Sequence, residues 1–359
     1  RKFKMNLENF LNSMKERNSK RLDLIAPTSL LTLDYSTDQG SYVLGANMNN
    51  DSKEFKVNHN TKRQICDKMG LPAKYWDYLE KQGYEDLAIN NINYLFKNGS
   101  ENNTVRSVDG VATAFLSDRY ETIDNDFVAG AVIDRIADDY RNENLNIIGA
   151  DETDKKLYMK LTKPSVNAEI AKGDIVEAGV IVSNSETGHG AINVNPFVNR
   201  LVCLNGMTVN DARFKAVHLA GAKEEGIINT LVTNETKQKK LDWLHSQIGD
   251  VVENSLKHSV FQQSVSKITD ATEEKIKPTE AIEIISDKYQ LTKDEETSIF
   301  DSLARRDSAD IGEPSKWSLI NAVTDTAKRV DSIDRRNELE AIGGKILALV
   351  IPKPARLIA

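Results

Sequence analysis

Apolar positions along the chain repeat first at helical spacing and then by alternation. Leu7, Phe10, Leu11 and Met14 predict a short amphipathic helix over residues 5–17. Two β-rich runs follow, Ser29 to Tyr35 and Ser41 to Ala46, with Asp38, Gln39 and Gly40 between them as a hairpin turn. Asn60 or Thr61 can cap a helix that ends at Gly70, and Pro72 opens a second helix carrying Tyr75, Trp76, Tyr78 and Leu79. Two helices across a tight turn can read DNA. The apolar aromatics of the second helix favour a packing unit instead. A third helix is expected near 84–96, and the polar run Lys97 to Asn103 reads as a linker.

Beyond that linker the pattern turns to strands. Val105 to Val108 and Val111 to Leu116 flank Asp109 and Gly110, a strong hairpin pair. A helix follows from about Asp126 to Tyr140, with Asp124 or Asn125 as its cap and Val128, Val132, Ile136 and Tyr140 as its buried stripe. Further strands are expected over Leu145 to Gly149, Lys156 to Thr162, Ile175 to Asn184 and Gly190 to Val194. From about 224 the pattern is helical: one long helix or a pair over 227–266, then 278–288, 293–304, 315–330 and 334–349. Leu303 to Pro314 reads as a surface loop. The fold class is therefore α+β, a central antiparallel β-sheet backed by helices, with a helical C-terminal third. Three regions are expected: an N-terminal α/β segment with the helix-turn-helix-like pair over 1–100, a β-rich core over 104–225, and a helical region over 226–359.

Composition narrows the class. With 359 residues, 40% hydrophobic and 28% charged, the chain supports one large domain or two ordinary ones. Its two cysteines, Cys66 and Cys203, have no partners at metal-ligand spacing, so a reducing host cytoplasm is the expected setting. No apolar run reaches the roughly 20 residues of a membrane span, and Arg1 to Leu7 has no signal-peptide core. The net charge of −7 counts against a surface that binds nucleic acid everywhere, although the first segment is basic (Arg1, Lys2, Lys4, Lys15, Arg17, Lys20, Arg21) and the helix near Asp134, Asp138 and Asp139 is acidic.

Catalytic motifs are missing. There is no Walker loop, no GxGxxG after a strand, no HExxH and no GxSxG, and no cofactor is expected. His59, His189, His218, His245 and His258 are not paired at i, i+3 or i, i+4. Glu186 and His189 are the best acid and base candidates. Their segment reads more simply as a turn in which Gly188 and Gly190 supply unusual φ angles.

Val180 to Met207 is the most informative stretch, and it reads as a binding surface. Asn184, Ser185, Asn193, Asn195, Asn199 and Asn205 offer amide and hydroxyl groups suited to phosphate, sugar or base edges. Arg200, Arg213, Lys215 and His218 add charge downstream. Arg119, Tyr120, Lys156, Tyr158, Lys160 and Lys163 add more from neighbouring strands. Lys156, Tyr158 and Lys160 alternate and so share one strand face, a pattern suited to single-stranded nucleic acid. A solvated sheet face has the same pattern. The nucleic-acid candidates are Arg119, Tyr120, Lys156, Tyr158, Lys160, Lys163, Asn184, Arg200, Asn205, Arg213 and Lys215.

Four ordered pieces carry a family resemblance: Leu116-Ser-Asp-Arg-Tyr-Glu-Thr-Ile-Asp-Asn, Val182-Ser-Asn-Ser-Glu-Thr-Gly, Arg200-Leu-Val-Cys-Leu-Asn-Gly-Met, and Trp317-Ser-Leu-Ile-Asn-Ala-Val-Thr-Asp-Thr-Ala with Glu338-Leu-Glu. With Thr61 to Tyr78 they span roughly residues 55 to 350. The chain resembles a family of phage- and plasmid-borne proteins classed as a domain of unknown function. The resemblance implies mobile-element origin and intracellular action, and it transfers no catalytic residues. Val217 to Gly221 departs from the basic-His-Gly segment of that family, which puts a role for His218 in doubt.

Three functions stay open at this point. The first is a single-stranded DNA-binding and annealing protein of phage or plasmid recombination, acting as a homo-oligomer; its link to annealing proteins is an analogy of element order. The second is a metal-dependent nuclease or nucleotide-modifying enzyme, with Asp118, Asp124, Glu186 and His189 as first suspects. The third is a phage structural or host-interaction protein, which the negative net charge suits.

Overall fold

A computed structural model describes residues 7–48, 51–142, 144–201, 205–209, 214–216, 234–305 and 313–351. The chain opens on α1 (Leu7–Ser19) and enters a sheet built from β1 (Arg21–Pro27), β2 (Leu31–Ser36), β3 (Ser41–Met48), β4 (Asp51–Val57), β5 (Asn102–Val108) and β6 (Val111–Ser117). Its strand order is β1-β5-β6-β4-β3-β2, antiparallel throughout except for the parallel β4–β6 pair. The expected Asp-Gly turn joins β5 to β6, with φ of 53° at Asp109 and 76° at Gly110.

Between β4 and β5 come α2 (His59–Met69), α3 (Ala73–Lys81) and α4 (Glu85–Asn98). Ile65, Trp76, Ile92 and Phe96 from these helices pack on Leu33, Leu44, Phe55, Val105 and Phe115 of the sheet. Gly70 closes α2 in the left-handed region at φ 68°, as expected. The cap at the other end is Asn58, whose side chain accepts from the Thr61 N–H. Asn60 and Thr61, expected as caps, instead turn inward and donate to the carbonyls of Thr113 and Ala112. The helix pair packs on the first sheet, with Trp76 and Leu79 of its second helix committed to the core.

The second sheet follows α5 (Asn125–Arg141). It comprises β7 (Asn146–Glu152), β8 (Leu157–Ala171), β9 (Asp174–Asn184), β10 (Ile192–Arg200), β11 (Asn205–Thr208) and β12 (Phe214–Ala216). All its pairs are antiparallel, in the order β11-β10-β9-β8-β7 with β12 also on β10. Strand alternation sends Leu157, Met159, Leu161, Val180, Val182, Ile192 and Val194 to one face. There they meet Met14 of α1, Val128, Val132 and Ile136 of α5, and Leu244, Ile248 and Val252 of α6 (Asn234–Ser255). The side chain of Tyr140, expected in the α5 stripe, lies outside the described residues.

The C-terminal third is helical: α7 (His258–Glu273), α8 (Pro278–Tyr289), α9 (Lys293–Arg305), α10 (Lys316–Ala327) and α11 (Ile333–Leu347). The 227–266 pattern thus resolves into a pair, α6 and α7, within its described part. These helices bury Val176, Ala178, Val198 and Met207 at the far end of the second sheet.

The class is α+β with a helical last third, and the second sheet is antiparallel. The N-terminal sheet is an addition to that expectation. It takes in β5 and β6, so residues 104–117 belong structurally with the first region. Their partners β1 and β4 lie far upstream, and no local pattern reports such pairing. Among the described residues, no helix is long and apolar enough to cross a membrane.

Candidate functional site

Two resemblance segments meet at the junction of the sheets. The loop from Ser117 to Asp124 lies beside the turn after β9. Asn184 Nδ2 donates to the Ile123 carbonyl at 2.8 Å and to Asn125 Oδ1 at 2.9 Å, and the Tyr120 hydroxyl donates to the Ser185 carbonyl at 2.7 Å. Burial pushes the Tyr120 phenol up to about 12. Glu186 Oε2 accepts the Asn125 N–H at 3.1 Å, and Arg17 bridges Glu186 and Glu152 at 2.6 Å each.

Arg106 sits at the centre of this junction, fully buried. Its guanidinium grips both oxygens of Asp23 at 3.0 Å, Asp124 at 2.6 Å and the Glu186 carbonyl at 3.1 Å. Arg21 meets Asp124 at 2.6 Å. Burial is the largest influence on Glu152 and raises its pKa, against the pull of Arg17 and Asn125. The basic N-terminal segment therefore spends Arg17 and Arg21 on internal carboxylates, and Lys20 pairs with Glu16 at 3.2 Å.

Of the four suspects for a metal centre, Asp124 and Glu186 converge on Arg106, while His189 and Asp118 are engaged elsewhere. Asp124 and Glu186 are held by arginines, His189 Nε2 bonds to Asn60 Oδ1 in a short contact, and Asp118 lies beside the Ser117 hydroxyl. Among the described residues, no group of three or more His, Cys, Asp or Glu is arranged to hold a metal ion. Gly188 and Gly190 take φ of 86° and 156°, so the segment between Glu186 and His189 is the glycine turn.

A third segment is tied by a buried triad. Arg200 Nε donates to Asp174 Oδ1 at 2.5 Å, and Trp317 Nε1 donates to Asp174 Oδ2 at 3.0 Å. Gly206 lies against the Phe197 ring, where a Cβ would fall 1.8 Å from a ring carbon. The Arg200–Asp174–Trp317 triad thus fastens the sheet to α10, and Asn205-Gly206-Met207, which lies in β11 and is not the turn expected, packs on β10. Asn184 and Arg200, expected as ligand contacts, are interior groups with protein partners. The Asn184 amide and the Arg200 Nε are turned to the protein acceptors Ile123, Asn125 and Asp174, so these donors are not presented at the surface.

The Lys156, Tyr158 and Lys160 face exists, and α11 crosses it. The Tyr158 hydroxyl bonds to Asp334 at 3.0 Å, and Lys160 Nζ pairs with Glu340 at 2.5 Å. Tyr158 is buried among Ile181, Phe197 and Ile333, so its ring is closed to stacking. Lys163 lies 3.8 Å from Asp139, and Arg119 is exposed. Lys215 stands opposite Asn193 in the β10–β12 register, and Asn205 opposite Arg200. Arg213 and His218 lie outside the described residues.

What α11 leaves open is a groove of about 570 Å³ on the outer face of the second sheet. Its floor carries Ser183, Asn193 and Asn195, and its α11 wall carries Asp334, Asn337 and Glu338. Lys155, Lys156 and His189 occupy the rim. Neither lysine ammonium has an ion-pair partner among the described residues, whereas Arg335 is held by Glu295 and Glu338. Sequence reasoning passed over Lys155 and Asn337. Lys155 breaks the strand alternation that singled out Lys156, and Asn337 lies on a helix remote in sequence.

A family model described as a domain of unknown function (DUF932) matches residues 112–342. The chain belongs to the DUF932 family. No curated protein and no solved structure matches it. The DUF932 match holds the whole groove and the carboxylates Asp124, Glu152 and Glu186. Their cationic partners Arg17, Arg21 and Arg106 precede the DUF932 segment, so in this chain the N-terminal sheet and α1 supply the counter-charges for these carboxylates.

Proposed function

We propose that this chain binds single-stranded nucleic acid through the groove on the outer face of its second sheet. Phage or plasmid origin, implied by the resemblance, makes recombination and strand annealing by a homo-oligomer the biological setting. The reading rests chiefly on Lys155 and Lys156, two lysines without carboxylate partners at the mouth of an amide-rich groove. Lysines so placed suit phosphates, and Asn193 and Asn195 suit base or sugar edges. A volume of about 570 Å³ falls in the range of ligand pockets. With Tyr158 closed to stacking, binding should depend on phosphate contacts and fall steeply with salt.

The test is fluorescence anisotropy of a labelled single-stranded oligonucleotide at low ionic strength, followed by a salt titration. Lys155→Glu with Lys156→Glu should abolish most of the binding, and each lost phosphate contact should flatten the log–log salt slope by about 0.7. Absence of binding at low salt, or equal binding by the double variant, would remove the proposal.

A further inference from the structure

Among the described residues, no element of the fold covers the outer stripe of α4. Leu87, Asn91, Tyr94 and Asn98 follow a 4-3-4 spacing, with the N-cap residue Tyr84 just before them, on the side away from the face that buries Ala88, Ile92 and Phe96. That is the spacing of a two-helix seam. Tyr94 is 71% exposed, Tyr84 54% and Leu87 46%. Tyr78, 56% exposed, and Tyr75 extend the patch from α3, and Asn91 Nδ2 reaches the Tyr75 hydroxyl at 3.4 Å. A contiguous aromatic patch of this kind marks an interaction site more often than scattered exposed residues do.

We infer that this stripe pairs with the same stripe of a second copy of the chain, across a twofold axis near Asn91, with the two α4 helices antiparallel. The charges choose that partner and direction. Asp86 lies near one end of α4 and Lys97 near the other, both exposed and without an ion-pair partner among the described residues. Antiparallel pairing brings Asp86 of each copy to Lys97 of the other. Parallel pairing would leave Asp86 and Lys97 of the two copies about 16 Å apart along the seam. The same register lays Leu87 on Tyr94 and Asn91 on Asn91, where the two amides satisfy each other. Mixed charge around the patch, with Glu80, Glu85 and Asp86 among Lys74, Lys81 and Lys97, disfavours a polyanion as occupant.

The interface is modest. A helix of this length presents about 21 Å of seam, so Tyr75 and Tyr78 are needed to approach the roughly 1,600 Å² of a standard interface. An interface of this size is expected to give a dimer whose population depends on protein concentration. The inference stands apart from nucleic-acid binding, because α4 and the groove share no residues.

Light scattering across a protein concentration series, with no nucleic acid added, tests it. The wild-type chain should move from monomer to dimer mass, and Leu87→Glu with Tyr94→Glu should stay monomeric with an unchanged circular dichroism spectrum. Asp86→Lys or Lys97→Glu alone should weaken the dimer about tenfold, and the two together should restore it. The exposed swap pair reports on pairing even if the stripe variant folds poorly. A wild-type monomer at every concentration overturns the inference, as does a dimer that survives the stripe variant or a swap that restores nothing. Loss of oligonucleotide binding in the stripe variant of a monomeric chain would assign the tyrosines to nucleic acid and overturn it as well.

Discussion

Arg106 Nη2 donates to Asp124 Oδ1 at 2.6 Å, joining β5 of the first sheet to the residue that precedes α5. Burial is the strongest influence on this guanidinium and opposes its charge. The hydrogen bonds to Asp23 and the charges of Asp124, Asp23 and Glu186 outweigh it, and the pKa is held above its ordinary value. Removing the cation takes away the one buried charge shared by Asp23, Asp124 and Glu186, leaving them only the flanking Arg17 and Arg21. Arg106→Ala is expected to cost about 3–5 kcal/mol in urea denaturation. Arg106→Lys should recover only part of that, since an ammonium cannot grip Asp23 with two donors. A loss below about 1 kcal/mol for the alanine variant would show that the junction holds without its centre.

The Arg200–Asp174–Trp317 triad predicts an order of severity. Trp317→Phe keeps most of the ring and removes one donor to Asp174, at a cost of about 1–3 kcal/mol. Asp174→Asn leaves the Arg200 charge buried without its counter-ion and should cost about 3–5 kcal/mol. Guanidinium unfolding of the two variants side by side checks the order, and equal effects would mean that the carboxylate charge is not what holds Arg200.

Gly344 marks the closest approach of α11 to the second sheet. A Cβ there would lie 1.7 Å from the Thr208 carbonyl oxygen of β11. Gly344→Ala must push helix and strand apart, with an expected loss of about 1–3 kcal/mol. Gly130 in α5 has open space around it, so Gly130→Ala should be neutral or stabilise by up to about 1 kcal/mol. Thermal unfolding of both variants separates steric from conformational effects, and similar shifts would sink the close-approach argument.

His189 gives the fold a pH dependence. Burial, followed by the charges of Lys155 and Lys156, holds its imidazole below the ordinary 6.5. The unfolded chain then takes up this proton at a higher pH than the folded one. Stability from this group is complete above about 6.5 and is lost as pH falls through the lowered pKa. His189→Gln should flatten the decline of the urea midpoint between about pH 7.5 and about pH 5.5. An anion at Lys155 and Lys156 would offset their repulsion of the imidazolium. Oligonucleotide affinity should therefore rise over the same fall in pH in the wild type and less in the variant. Parallel stability curves for the two proteins would place the dependence elsewhere.

The candidate site was partly legible before the fold was known. Alternation correctly set Lys156, Tyr158 and Lys160 on one face, because a strand's side-chain period follows from backbone geometry alone. Their exposure was not legible. Glu340 pairs with Lys160 from 180 positions away, and Asp334 takes the Tyr158 hydroxyl from 176 positions away. Asn184 and Arg200 looked like ligand contacts for the same reason. Polar side chains serve a ligand or the protein's own interior equally well, and only the position of Asn125, Asp174 and Trp317 tells which.

By itself the sequence determined the local elements. The Asp109-Gly110 turn, the Gly70 cap, the stripe of α5 and the helical last third all follow from φ preferences and hydrophobic period acting over a few residues. The tertiary structure alone decided that β1 and β4 claim β5 and β6, that Arg106 gathers acids from three segments, and that α11 covers Tyr158 and Lys160 while leaving Lys155 and Lys156 at the groove. Strand partners and ion pairs are chosen by proximity in space, and proximity between distant segments is set by the packing of the whole chain.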